Sequence, residues 1–528
     1  MPYNLITAPW LPVLRADNSE QWIAPAAINQ DYENNPVMRL NAPRADFNAA
    51  LMQFLIALLQ TAHTPENNHA WRVYARKPPT AEQLGQWFEP LIPAFYLDGD
   101  NARFMQDLET LAGQAPLPIS ALLIDTMGSK THFVKDFPKQ GLHPYLAAMS
   151  LLTLQLNAPS GGAGHRTSLR GGGPLTTLVL TETPRPLWDN LWLNVLTQNE
   201  HWGDTDVAYT QIEEVFPWMQ ATRCSDKEST SPVTSTVDVH PLQVYWATPR
   251  RIYLDFPQTA AGNCALSGLE SEQLVSQYRT KNYGANYEGW QHPFSPHSIS
   301  PDNPPLCLHP NGAINYRHWM GLISEKPSKK NTVVRPARVV SAFASRTRQQ
   351  TRLHLWASGY DLDNMKPRAW YESIFPLYAF ADDEQGRKNK NEFYSAVNNM
   401  IIAASDFSSA IKTCLKEAWF EKGDPRLKKA DMAFIDNAFW HDTEADFYQK
   451  LQQLYQADIQ VQKREHWRRW HQQLVGYSLL QFDRWADCQQ LLKQHNPKRI
   501  AKARQKLQKL FYSKNIKSVL DLAKNHVK

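Results

Sequence analysis

Residues 144–180 read PYLAAMSLLTLQLNAPSGGAGHRTSLRGGGPLTTLVL, and this stretch shows how the first part of the chain is built. Pro144 suits the first turn of a helix, where its missing N–H would have no intrahelical partner anyway. LAAMSLLTLQL carries that helix to Leu156. LTTLVL, 175–180, is rich in β-branched residues and reads as a strand. Between them lies a loop with Gly161, Gly162, Gly164 and Gly171 to Gly173. A helix, a glycine-rich loop and a strand in succession make this a part of the chain that alternates in type.

Reading outward, RADFNAALMQFLIALLQTAHTPEN predicts a buried helix, with Asp46 accepting from the free amides of its first turn and His63-Thr64-Pro65 ending it. ALLID, 121–125, reads as a strand leading into the basic segment GSKTHFVKDFPKQG. Trp188 to Leu196 reads as helix. LQVYWA and RIYLDF read as a strand pair joined by a Pro-Arg-Arg turn, and NTVVRPARVVSAFA as further short strands. The polar run ADDEQGRKNKN, 381–391, reads as a linker. Beyond it proline and glycine become scarce and helical periodicity dominates, which predicts a bundle of four or five helices.

The bulk properties bound the function. The chain has 528 residues, more than one typical domain. Its 18 Trp, 20 Tyr and 21 Phe are ample for a large core. A net charge of +5 permits a polyanionic partner without demanding one. The five cysteines are scattered, with no C-x-x-C, so neither a disulfide framework nor a local zinc motif is written. The N-terminus has no signal-peptide pattern, and the greasy stretch Ala49–Leu59 is half the length that spans a bilayer, so a cytoplasmic protein without membrane contact is expected.

Candidate chemistry follows the glycines and the basic residues. Glycines let a backbone approach a ligand closely, and His165, Arg166 and Arg170 between them suit a sugar–phosphate backbone. A long irregular surface loop has the same composition. No Walker sequence follows, and G-x-G-x-x-G after a strand is absent. Lys130, Lys135 and Lys139 surround Phe133, and Arg279 and Lys281 sit among tyrosines. Such mixtures serve phosphates and bases, though a solvated face looks the same. From Lys493 onward eleven basic residues face Asp521 alone, which predicts an anionic partner or a solubilising tail. Neither H-E-x-x-H nor G-x-S-x-G occurs. His441-Asp442 is better read as a helix start than a metal dyad, and the Trp residues of EHWRRWHQQ as bundle packing.

In order and spacing, NLITAPWLPV, PRADFNAAL, THFVKDFP, LLTLQLNAPSGGAGHRTSLRGGGPLTTLV, YGANYEGWQHPFSP and ASGYDLDNMKPRAWYES resemble one family across nearly the whole chain. That family is the large subunit (CasA family) of the type I-E CRISPR surveillance complex, Cascade. The resemblance implies a large mixed α/β domain, here 1–385, followed by an all-α four-helix bundle, 386–528. It implies a non-enzymatic protein without cofactor or metal. Its partners would be the guide RNA, target double-stranded DNA, the backbone, guide-5′-end-binding and small subunits, and a recruited helicase–nuclease.

Carried onto this chain, the loop that enters the minor groove at the protospacer-adjacent motif (PAM) resembles Gly161, Gly162, Ala163 and Gly164. The lysine that touches the PAM duplex corresponds to Lys281, with Arg279 as the alternative. The family's strand-separating glutamine is replaced by Asn364, beside Met365 and Lys366. Because asparagine is one methylene shorter, Met365 is an alternative apolar wedge, with Lys366 on a phosphate. The loop anchoring the subunit at the guide-RNA end resembles the region of Lys130, Phe133, Lys135 and Lys139. Where some relatives cluster cysteines, this chain has only Cys264, so no structural zinc is expected.

Overall fold

The computed structural model describes residues 3–126, 141–162, 164–203, 207–229, 232–256, 260–328, 331–346, 352–456, 459–486 and 496–522. Two compact units result. The first holds Met1–Gly312, Gly321–Thr347 and Thr351–Leu377, and the second is chiefly Ala313–Met320 with Tyr378–Lys528. The first is mixed α/β with several small sheets, and the second is an α-helical bundle, as the sequence predicts.

In the first unit the helix Ala45–Ala62 is buried along most of its length. Phe54 on it meets Trp10, Phe95, Phe104 and Trp246 edge-on at 5.2–6.0 Å, the geometry that ring quadrupoles favour. The helix cap is Arg44 rather than Asp46. Asp46 lies inside the first turn, where its carboxylate does accept one first-turn amide, that of Phe47 at 3.1 Å, together with Arg44 at 2.9 Å and the Tyr360 hydroxyl at 2.5 Å. The helix Pro144–Asn157 packs beside it, with Pro144 in the first turn as expected. The strand Thr176–Thr181 forms one edge of a three-stranded antiparallel sheet. Leu353–Asp363 lies at that sheet's centre and Lys366–Leu377 at its far edge.

Several sequence expectations fail, those for ALLID and LQVYWA because short buried runs carry no period that separates helix from strand. ALLID is not a strand but two 3-10 turns, Ile119–Leu122 and Ile124–Thr126, closed by the Thr126 hydroxyl donating to the Ser120 and Leu123 carbonyls. LQVYWA contains a helical turn, Gln243–Trp246, buried at all four residues, and only Arg251–Leu254 of the expected pair is a strand. NTVVRPARVVSAFA divides into the strand Val333–Arg335 and the helix Arg338–Arg346.

Residues 381–391 are not a linker. Asp383 accepts the Gly386 amide at 2.6 Å and caps a helix running Glu384–Trp419. Their polarity is that of a long helix's solvent-facing start. Ala433–Gln456, Ile459–Ala486 and Pro497–Phe511 complete the main bundle. Trp467 and Trp470 are buried within this unit, as packing predicts. Asp442 does not start a helix; it sits inside Ala433–Gln456 and accepts from Gln481 at 3.0 Å. Tyr316, from the segment that joins this unit, stacks on Phe447 at 4.1 Å and shares a hydrogen bond with Thr443 at 2.9 Å.

Candidate nucleic-acid interface

Three chain segments meet on one face of the first unit. The first is the glycine turn that follows the helix Pro144–Asn157. His165 donates its amide to the Gly162 carbonyl at 2.9 Å, which closes the turn. Gly162 and Gly164 have φ of +69° and +84°, values that an L side chain resists. A Cβ on Gly162 would meet open space, whereas one on Gly164 would lie 2.6 Å from the Tyr283 ring.

The second segment is the end of the strand Gln277–Lys281 and the residues after it. Tyr283 donates its amide to the Gly164 carbonyl at 2.9 Å, lays its ring on that glycine and is 42% exposed. Its own φ of +61° is unusual for an aromatic residue and is held by these contacts together with the Ser225 amide on its carbonyl, at 3.1 Å. Lys281 reaches outward and pairs with Glu109 at 3.3 Å, both side chains being well exposed. Arg279 is spent on the fold: it donates to the Ala112 and Gln114 carbonyls at 3.3 and 2.6 Å and pairs with Asp255 at 3.1 Å. Of the two alternatives, Lys281 is the more available to a ligand.

The third segment is the tip of the long hairpin. Asp363 pairs directly with Lys366, so Asn364 and Met365 alone make the turn. Both have positive φ, +48° and +62°, as the favoured two-residue hairpin turn requires. Asparagine tolerates that conformation; methionine does so at a cost of about 1 kcal/mol or more. Met365 is 43% exposed. Its sulfur nevertheless lies against Gly172, where a Cβ would come within 2.9 Å of it and 3.0 Å of the Pro159 Cα. Asn364, Met365 and Lys366 are exposed together at the tip.

The two glycine clusters therefore do different things. Gly171 to Gly173 form a floor: Gly171 faces His309, and Gly173 faces the Tyr360 carbonyl and Leu362. Arg170 does not reach a ligand, contrary to expectation. It is 5% exposed and donates to Thr176 and Gln53 at 2.9 and 2.7 Å and to Ser295 at 3.1 Å. Burial pulls its guanidinium down to about 10. Arg166 is likewise occupied, by the Ser225 hydroxyl and carbonyl at 2.7 and 2.8 Å. Ala163 and the predicted anchoring residues Lys130, Phe133, Lys135 and Lys139 lie outside the described residues.

Sequence reasoning counted Tyr283 only as one of the tyrosines around Arg279 and Lys281, and passed over Glu109 and Arg250 as site residues. The only signals for the three were an aromatic two places after Lys281 and a paired-arginine turn. In the helical unit, some of the terminal basic charge holds the last long helix in place: Arg499 donates to the Ala418 carbonyl, and Arg504 and Lys506 pair with Asp483 and Glu417. Among the described residues no helix is long and apolar enough to cross a membrane, and no group of three His, Cys, Asp or Glu is placed to hold a metal ion.

A family model described as CRISPR-associated protein Cse1 matches residues 4–479. Among solved structures, a CasA from Thermus thermophilus is 17% identical with a TM-score of 0.69, covering 97% of this chain and 99% of that one. Thermobifida fusca Cse1 is 17% identical with a TM-score of 0.69, covering 99% and 98%. A chain of a CRISPR RNA-guided surveillance complex is 14% identical with a TM-score of 0.69, covering 97% and 100%. At these identities the likeness speaks to the fold.

Proposed function

Because the chain belongs to the CRISPR-associated Cse1 (CasA) family, the large subunit of the type I-E Cascade complex, we propose that its three-segment face inspects the PAM of double-stranded DNA and begins strand separation. One observation carries this reading. The glycine turn, the strand end bearing Lys281 and the hairpin tip interlock, through Tyr283 on Gly164 and Met365 on Gly172.

The steps follow from the chemistry of each part. Lys281 and neighbouring cations give salt-dependent association with the duplex. The side-chain-free turn at Gly161 and Gly162 enters the minor groove, which offers few discriminating groups and so supports tolerant PAM reading. The tip then meets the first base pair. Met365, braced from behind, offers an apolar wedge that offsets part of the unstacking cost, and Lys366 takes a phosphate. Guide-RNA pairing captures the opened strand. The cycle is one of binding, and cleavage falls to a helicase–nuclease that the subunit recruits.

The test is binding of the reconstituted complex to matched duplexes with varied PAMs, wild type against Gly162→Asp, whose side chain would stand in open space. Each target is offered fully paired and pre-opened at the seed. The variant should lose binding to paired DNA with a good PAM and largely keep the pre-opened target. Survival of both PAM preference and affinity would sink the loop assignment and leave recognition to Lys281 and the hairpin tip.

A further inference from the structure

A buried arginine is nearly always matched with a carboxylate, because an unmatched charge in a low-dielectric interior is costly. Arg250 is 6% exposed and pairs with no carboxylate among the described residues. Its Nη2 donates to the Pro159 carbonyl, at the foot of the glycine turn. Its Nε is buried with no hydrogen-bond partner among the described residues. Burial pulls the guanidinium down to about 10, so it remains charged at neutral pH. Nη1 lies under Gly161, where a Cβ would come within 3.1 Å of it.

The backbone around Arg250 is held equally firmly. Gln155 clasps it from both sides, accepting the Arg250 amide at 3.1 Å and donating to its carbonyl at 2.9 Å. That ties the turn 249–251 to the helix Pro144–Asn157. On one flank the Pro249 carbonyl occupies the space that a Cβ on Gly284 would need. On the other, Arg251 is the register partner of Lys281. The same short turn thus braces both the glycine turn and the strand end that carries the exposed lysine.

We propose that Arg250 is the positioning residue of the glycine turn, and that its charge, without a carboxylate among the described residues, biases that turn toward a phosphate backbone. The assignment of phosphate as the ligand rests on the PAM reading above; the positioning role does not. A charge beneath a thin loop is screened less than an exposed one. A phosphate arriving in front of the loop supplies a counter-charge.

The experiment uses the full chain in the reconstituted complex, as wild type, Arg250→Met and Arg250→Lys. Hydrogen exchange of peptides covering 158–166 reads loop order, and binding to paired and pre-opened targets across a range of sodium chloride reads recognition. Arg250→Met should speed exchange over 158–166, weaken paired-PAM binding roughly tenfold and flatten the salt dependence, while sparing the pre-opened target. Arg250→Lys should restore the salt dependence but not the slow exchange, a split that a merely structural role would not produce. It also serves where the methionine variant fails to accumulate. Unchanged exchange over 158–166 in both folded variants overturns the positioning role, and an unchanged salt dependence in Arg250→Met overturns the charge role. Faster exchange with intact PAM preference supports the positioning role and removes the PAM reading of the loop instead.

Discussion

The two glycine clusters, 161–164 and 171–173, sit seven residues apart and look alike in sequence, yet they answer different physical demands. Gly162 has open space where a side chain would stand. Gly173 has the Tyr360 carbonyl at 2.8 Å and the Leu362 side chain at 3.1 Å from the same position. Gly162 is bare so that something outside can come close, whereas Gly172 and Gly173 are bare so that the protein's own hairpin can, and Gly161 and Gly164 make room for Arg250 and Tyr283. The difference teaches that a glycine run signals close approach without saying who approaches.

The comparison breaks most sharply on a pair of alanines. Both positions have positive φ, +69° at Gly162 and +62° at Gly173, so alanine strains both backbones. Only at Gly173 does the new methyl also meet backbone that cannot yield. Gly173→Ala should cost about 3 kcal/mol in urea unfolding, and Gly162→Ala about 1 kcal/mol. The binding effects should run the other way, with Gly162→Ala weakening paired-PAM DNA out of proportion to its small cost in stability. Equal stability losses would mean that the hairpin does not rest on the second cluster.

Acid should act on the second cluster next. The second cluster lies over a histidine core: His309 shares a hydrogen bond with the Gly173 carbonyl at 3.3 Å, and His297 accepts the His292 amide at 3.3 Å. Burial lowers all three histidines, with Arg170 adding its repulsion, and His297 falls to about 4. The folded state therefore keeps them neutral while the unfolded chain protonates near the ordinary 6.5. Their contribution to stability is full above 6.5 and is lost as pH falls below it, for His297 down to about 4. The slope is on the order of 1 kcal/mol per pH unit for each group. Hydrogen exchange at decreasing pH, corrected for the intrinsic rate, should loosen residues 171–181 before the bundle. A bundle that loosens first would contradict this.

Much of the fold was legible from sequence because its long elements carry period or composition: Ala45–Ala62, Pro144–Asn157, Thr176–Thr181 and the terminal helices. ALLID and LQVYWA were not, since a short run buried on every side has no polar face to set its phase. The glycine loop was visible in composition, and the residues of the hairpin tip only through the family resemblance. Arg250 and Glu109 were not, because their partners lie 91 and 172 residues away in sequence, at Pro159 and Lys281. Arg170 misled for the converse reason: an arginine between glycines looks like a ligand contact, and burial against uncharged partners cannot be read from its neighbours.

The smallest effect bears on the face that the first cluster opens onto. Glu109 bridges two cations, Arg251 at 2.9 Å and Lys281 at 3.3 Å. Arg251 keeps Asp107 at 2.5 Å whatever happens to Glu109, so the strand pair does not depend on it. What Glu109 does is occupy the Lys281 ammonium, and a DNA phosphate must compete for that group. Exposed pairs of this kind are worth less than about 1 kcal/mol. Glu109→Gln should therefore tighten duplex binding by no more than about threefold at low salt, with the gain fading as salt rises. Because the freed charge acts on any backbone, the gain should be equal for good and poor PAMs, which lowers no barrier to discrimination and only raises affinity. Weaker binding by Glu109→Gln would mean that the carboxylate orients Lys281 rather than competing for it, and the exposed lysine would then belong to the braced part of the face with Tyr283.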